Sequence, residues 1–437
     1  MKDLQFFCAH LFTSLSFDQR GQIRVCCNNY EVPKGEDGKP ILISDKDFSM
    51  KKVFNSDVHT RIRKNIIENN PDPGCFRCWQ TEENGAESYR TIWNNTLASG
   101  FYKDIMIDSV DDVGHIESPY VTFLDFTVGN KCNLVCRMCN VDNSHLWEKE
   151  EKLLYGEENV TPPSSNVSVD ERFLSDEFFE ENLMHVKQVN FLGGEPLIVN
   201  EHEQFLNQCI KHGISKNIVL FYTTNLIKLD DKWLEKWKHF RHIYLGVSVD
   251  GYKEVNDYIR YPSKWKQVIQ SIEKVSEWKK ELSMDLQIHA TFQAMNALNY
   301  DKLLEWVFSL GDLGFWRIPF SNWVTYPNHY DSRILPGEIK NDAVDRIQKF
   351  IDDKADVEWT VGEKQWLGIL KSNMKTIMED FDDDVDVGLA FEKLKIFTKK
   401  LDISRKQHIV NFIPELKTMI YGGSRHRPAR RYEKSKK

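Results

Sequence analysis

The chain lacks any apolar run approaching the roughly 20 residues that a membrane-spanning helix needs, so no spanning helix is expected. It lacks long low-complexity tracts, which separates it from disordered and fibrous chains. It also lacks a basic balance, and a formal net charge of -8 argues against a nucleic-acid footprint over the whole chain. The apolar opening "FFCAHLFTSLSF" suggests a signal peptide, but Asp3, His10 and the missing small-residue cleavage site count against one, and a cytoplasmic protein is expected. Cysteine is too sparse for a disulfide scaffold, at nine in 437 residues. What is present is a soluble, globular composition, 41% apolar and 28% charged, on a chain long enough for two or three domains with their own cores.

The few cysteines are clustered. Cys8, Cys26, Cys27, Cys75 and Cys78 fall in the first fifth of the chain, and Cys132, Cys136 and Cys139 share the stretch "KCNLVCRMCN". Tight clusters in a reducing compartment point to metal more than to disulfides. Cys209 stands apart, between Phe205, Leu206 and Ile210, and reads as a buried core thiol.

From about residue 119, apolar β-branched runs alternate with helical stretches. "YVTFLDFTV", "HVKQVNFL", "NIVLFYTT", "HIYLGVSV", "LQIHATFQ" and "FWRIPF" read as buried strands. Between them "KWKQVIQSIEKVSEWKKEL" sets Trp265, Val268, Ile269, Ile272, Val275 and Trp278 on one helical face. Six strands with intervening helices imply an α/β fold whose parallel sheet has right-handed crossovers and curls toward a barrel. Chemistry in that architecture gathers at the carboxyl ends of the strands.

The three-cysteine stretch directly follows the first strand. A closed zinc site could use Cys132, Cys136 and Cys139 with His145, but gaps of three and two residues fit poorly with the repeated two-residue gaps of zinc modules. Three cysteines can instead hold three irons of a four-iron four-sulfur cluster and leave one iron open. An open iron can take a substrate or cofactor, as the open position of a catalytic zinc does.

The spacing Cys132-x3-Cys136-x2-Cys139 at the end of a first barrel strand resembles the signature of radical S-adenosylmethionine (SAM) enzymes. Met138 departs from it, since many members carry an aromatic residue before the third cysteine, but methionine can still pack on an adenine ring. Further segments follow in order at successive strand ends. "FLGGEP" is similar to the family segment that contacts the SAM amino group, with Gly193, Gly194 and Glu195. "YTTN" supplies Thr223, Thr224 and Asn225, suited to ribose. "SVDG" gives Ser248 and Asp250, and Arg260 follows, so that Ser248 and Arg260 match family positions that hold the SAM carboxylate. The resemblance implies a partial (β/α)6 TIM-like barrel of the radical SAM type. It also implies a SAM-binding 4Fe-4S cluster on Cys132, Cys136 and Cys139, and reductive cleavage of SAM to a 5′-deoxyadenosyl radical that abstracts hydrogen from a substrate.

The N-terminal cysteines form a second set. "CAHLFTSLSFDQRGQIRVCC" reads as a hairpin turning at "DQRG", with Cys8 and Cys26 on its two arms, and "PDPGCFRCWQ" places Cys75 and Cys78 after a Pro/Gly turn at a helix start. Four thiolates are enough to close a site, on zinc or on a cluster. Hairpin alternation sends Cys26 and Cys27 to opposite faces, so one serves and the other packs, with Cys27 the rival ligand. The arrangement resembles the SPASM or twitch modules attached to many radical SAM enzymes. That resemblance implies a second, auxiliary 4Fe-4S cluster on Cys8, Cys26, Cys75 and Cys78, fully ligated and therefore suited to electron transfer or structural support.

The expected organisation is a small α+β cluster module over 1–118, a radical SAM core over 119–325, a helical C-terminal extension over 326–422 and a basic, disordered tail over 423–437. "DAVDRIQKFIDDKA", "EKQWLGILKSNMKTIMEDF" and "AFEKLKIFTKKL" read as amphipathic helices that cover the barrel or shape a substrate mouth, and "EDFDDDVD" as a solvated acidic loop. Family habit implies a peptide or protein substrate and an electron donor such as flavodoxin or ferredoxin; charge and hydropathy speak against nucleic acid and membrane as partners, with the basic tail "SRHRPARRYEKSKK" the one segment suited to RNA or an acidic peptide. A small molecule or nucleotide substrate is the alternative, and a zinc-binding interaction protein the remote one. No catalytic residue beyond the cluster ligands can be named from one sequence.

Overall fold

The computed structural model describes residues 4–35, 37–83, 87–97, 101–127, 129–157, 171–381 and 385–422. The basic tail and part of the acidic loop expected from the sequence lie outside the described residues. An eight-stranded sheet organises the described residues. In chain order its strands are β1 (Ser14–Phe17), β2 (Ile23–Arg24), β3 (Phe123–Thr127), β4 (Gln188–Leu192), β5 (Val219–Thr224), β6 (His242–Ser248), β7 (Met284–Phe292) and β8 (Phe320–Trp323). Their spatial order is β2-β1-β3-β4-β5-β6-β7-β8.

Six of these strands, β3 to β8, are parallel and adjacent in sequence order, as the alternation of strands and helices requires. Helices Asn200–Lys211, Asp231–Trp237, Trp265–Trp278 and Tyr300–Ser309 make the later crossovers. The third of them buries Val268, Ile272, Val275 and Trp278, the face expected from its periodicity. One sheet face is apolar and buried, with Leu124, Phe126, Val189, Phe191, Leu220, Leu245 and Ile288 in the core. Burial of that size is the dominant favourable contribution to folding.

The other face is polar and partly accessible. Alternation along β7 leaves Asp285, Gln287, His289 and Thr291 half-buried between fully buried neighbours. Asp125, Asn190, Phe221 and Tyr244 lie side by side across four strands on this same face.

Two expectations need correction. "FWRIPF" is not a strand: Phe315 makes only an isolated bridge to Leu286, and β8 begins at its last residue, Phe320. Pro319 has no N–H to give a ladder, so pairing starts after it. The N-terminal hairpin is shorter than its alternation suggested, because His10–Thr13 is a helical turn and only β1 and β2 pair, antiparallel, around a turn in which Asp18 accepts from the Arg20 and Gln22 amides.

That hairpin also joins the main sheet. β1 runs parallel to β3 in register Ser16 with Asp125, so the N-terminal segment extends the sheet edge. The C-terminal helices do separate jobs. Gly337–Asp353 packs on Tyr300–Ser309, and Val361–Thr376 lies along β8, where Asn373 donates to the Ser321 carbonyl and Glu363 holds Arg317. Val387–Arg405 reaches the segment that carries Cys136 and Cys139. No helix among the described residues is long and apolar enough to cross a membrane.

Candidate cluster and cofactor site

The loop after β3 is held from several directions before it turns into helix Trp147–Tyr155. The Val135 and Arg137 amides donate to the carbonyls of Tyr261 and Ile259, the Ser144 hydroxyl to Leu134 and the Trp147 indole to Cys136. The loop is thereby fixed by its backbone, and its side chains are free to present thiols.

Cys132, Cys136 and Cys139 gather there, close enough that one thiol raises the proton affinity of the next. Burial pushes the Cys132 thiol up to about 12, with Cys136 adding to it. Burial likewise raises Cys139, followed by Cys136 and Cys132. Arg260 opposes the rise at all three thiols. His145 is turned to another use, accepting from the Cys132 amide through Nδ1 at 3.3 Å. Among the described residues, no group of three or more His, Cys, Asp or Glu side chains is close enough to hold a single metal ion. Met138 is half-buried against the core.

The segment "FLGGEP" meets the same loop. The Gly194 and Glu195 amides donate to the carbonyls of Gly129 and Lys131. A Cβ on Gly194 would lie 2.2 Å from the Lys131 carbonyl oxygen, so this glycine is required by backbone meeting backbone. Gly193 has φ of +115°, which an L side chain resists. Glu195 is buried, and burial raises its carboxyl above the usual range. Its oxygens accept from the Thr224 hydroxyl at 2.6 Å, the Leu197 amide at 3.1 Å and the Asn225 amide at 2.7 Å. Asn225 donates onward to Asn133 of the cysteine loop at 2.8 Å. The hydrogen bonds of Glu195, Thr224 and Asn225 therefore join the ends of β4 and β5 to the thiol loop. Asn133 was missed in the sequence because a lone asparagine between cysteines carries no pattern of its own.

At the ends of β6 and β7, Asp250 is fully buried and receives Arg260 at 2.6 Å and the Thr291 amide at 2.7 Å. Burial works against the Arg260 charge, yet Cys136 and Asp250 hold the guanidinium above its ordinary value. Its Nε is buried without a partner among the described residues. Ser248 closes β6 beside His289 and is half-buried.

Four N-terminal thiols line one cavity: Cys8, Cys26, Cys75 and Cys78. Pro73–Cys75 forms a single turn capped by Asp72, and Cys78 follows on helix Phe76–Glu83. A Cβ on Gly74 would meet the side-chain ends of Glu31 and Asn29, which would have to shift to admit it. Burial, then Cys26, raises Cys75 to about 12, and burial raises Cys26 to about 11. The same cavity holds a buried nitrogen without a partner among the described residues, His10 Nε2, while the Asn29 side chain hydrogen-bonds Cys75 and the Asn28 side-chain amide reaches Cys78 Sγ at 3.8 Å. Cys27 does not line it. It is exposed rather than packed, and it faces a second cavity with Cys26, Asp125 and Thr127. Cys209 is buried in the core, as expected.

Residues 126–283 match the Radical SAM superfamily. The chain therefore contains a radical SAM domain, which supports an enzyme of this class with its reaction left open. No curated protein matches. Similar solved structures include histidine-tagged anSMEcpe with bound AdoMet, 19% identical over 54% of this chain and 59% of that one, TM-score 0.38. Streptococcus suis SuiB bound to precursor peptide SuiA is 11% identical over 68% and 64%, TM-score 0.34. TYW1 with a lysine–pyruvate adduct is 16% identical over 52% and 72%, TM-score 0.29. The chain thus spans about three-fifths of the first of these structures.

Proposed function

We propose that the protein is a radical SAM enzyme that modifies a peptide or protein. The observation that carries this reading is the meeting of three loop thiols with Arg260 at the carboxyl ends of the strands, inside the segment that matches the superfamily. When bound, a 4Fe-4S cluster and SAM supply reductive cleavage of the sulfonium and hydrogen abstraction from a C–H bond. In this reading Cys132, Cys136 and Cys139 are the cluster ligands, and Arg260, fixed by Asp250, offers its unpartnered Nε to the SAM carboxylate. Glu195, Thr224 and Asn225 hold the strand ends against the thiol loop, and the backbone at Gly193 and Gly194, with Ser248 and Met138, completes the cofactor wall.

Cys8, Cys26, Cys75 and Cys78 hold an auxiliary 4Fe-4S cluster in the N-terminal module of residues 1–118, which precedes the core of residues 119–325. Four thiols suffice to ligate every iron of such a cluster, and the His10 ring nitrogen and the Asn29 side-chain amide there supply donors for cluster sulfur. Flavodoxin or ferredoxin supplies electrons, and the cytoplasm is the compartment. The peptide assignment rests on the resemblance of the N-terminal cysteines to auxiliary-cluster modules. Anaerobic incubation of the reconstituted protein with SAM and a reductant tests the reading: 5′-deoxyadenosine forms, and its yield rises with a peptide fraction rather than with a metabolite extract. No deoxyadenosine under any condition overturns it.

A further inference from the structure

A cavity of about 450 Å³ lies between the end of the cysteine loop, helix Trp147–Tyr155, the segment 326–330 and helix Val387–Arg405. Three of its lining side chains are almost wholly buried and carry polar atoms with no partner among the described residues. These are Arg137 Nη1, both ring nitrogens of His329, and the Tyr330 hydroxyl. Buried polar groups are almost always satisfied, and three together around one space point to something that enters it.

The chemistry of the wall says what enters. Arg137 is otherwise committed, its Nε to the Tyr258 carbonyl and its Nη2 to Asp402, which leaves Nη1 with two N–H groups to give. Burial, with Lys393 adding to it, holds His329 neutral by lowering it to about 3, so its ring contributes one donor and one acceptor. Lys393 lies at the same wall, over the Phe397 and Tyr155 rings at 5.2 and 5.6 Å. Of the wall's carboxylates, Glu151 spends Oε1 on the Val141 amide and Asp142 pairs with Arg20, which leaves Lys393 and Arg137 Nη1 as the cationic donors of the wall. These donors stand beside an aromatic surface of Trp147, Tyr155 and Phe397.

We infer that this cavity is a binding site for a small oxyanion, a carboxylate or phosphate borne on an apolar or aromatic body. An occupant would bridge the helix Val387–Arg405 to the loop that presents Cys136 and Cys139, and so would stiffen that loop. Cys139, one of the three loop thiols, lines the cavity as well, while the anion contacts inferred here use none of the thiols.

The test titrates the full-length protein with benzoate and, separately, with inorganic phosphate, against chloride at matched ionic strength, and follows Tm. A ligand in tenfold excess over its Kd raises Tm by about 1–2 °C in a chain of this size. The expected result is such a rise in the wild type that disappears in Lys393→Ala and in His329→Phe. Lys393 is half-buried, so the first variant keeps the fold should the second not. A rise with benzoate alone assigns a carboxylate ligand, and one with phosphate alone a phosphate ligand. No rise with either anion, or an equal rise in both variants, overturns the inference and leaves a water-filled cavity.

Discussion

Arg137, one residue beyond Cys136, donates to the Asp402 carboxylate at 2.6 Å across 265 positions of sequence, with both side chains buried. Asp402 also accepts from the Tyr258 hydroxyl and the Ile409 amide, each at 2.8 Å. Nearby, Arg405 grips Glu150 with two nitrogens, at 2.7 and 2.9 Å. The thiol loop and the helix that follows it are therefore each clamped to the C-terminal helix by one buried ion pair.

Removing one partner of such a pair strands the other charge in the interior. Asp402→Ala is expected to cost about 3–5 kcal/mol, measured by urea unfolding of the apo-protein. A loss below about 1 kcal/mol would mean that the pair is open to solvent.

Gly194→Ala places a methyl group against the Lys131 carbonyl. The cysteine loop must then move, at a cost of about 1–3 kcal/mol, and the variant should retain less iron after reconstitution. Gly337→Ala is the matched control, since nothing lies within 4 Å of its added Cβ. Equal behaviour of the two variants would contradict the close approach.

Asp125 titrates in a way that can be read as stability. Burial raises its carboxyl from 3.8 to about 6, against hydrogen bonds from Ser16 and Asn190. Between about pH 4 and 6 the folded chain holds this proton and the unfolded chain does not, so the group's contribution to stability falls as pH rises through that window. Asp125→Asn should therefore gain on the wild type from pH 4 to pH 7 in denaturant unfolding. A difference independent of pH would sink this assignment.

The two thiol sets should fail separately. Cys136→Ala is expected to abolish deoxyadenosine formation while about four irons stay with the N-terminal set, and Cys75→Ala to lose that set's iron alone. Iron and sulfide assays on both variants decide it. Retained SAM cleavage in Cys136→Ala refutes the open-iron assignment.

Much of this was legible in the chain, and the reasons are local. Cys132, Cys136 and Cys139 lie within eight positions, and the motifs Gly193–Glu195, Thr224–Asn225 and Asp250 each end an apolar run, so spacing and strand patterning mark them as candidates. Gly194 was visible, but its reason was not. Only the fold shows that the close neighbour is the Lys131 carbonyl. The pairing of β1 with β3 was hidden because alternation reveals a hairpin and not what lies beside it. Asp402 was hidden for a similar reason: an acidic residue on an amphipathic helix normally faces water, and its buried partner lies hundreds of residues away. Cys27 and Cys26 differ by one position, but β2 ends at Arg24, so strand alternation does not extend to them, and both line the second cavity while Cys26 alone also lines the first. Cys27 faces an open cavity instead of the core.

The most direct measurement is iron, acid-labile sulfide and zinc per chain after anaerobic purification and reconstitution. Two four-iron clusters require about eight irons and eight sulfides with no zinc. Zinc throughout with no sulfide would contradict the enzyme reading and return the thiols to closed structural sites.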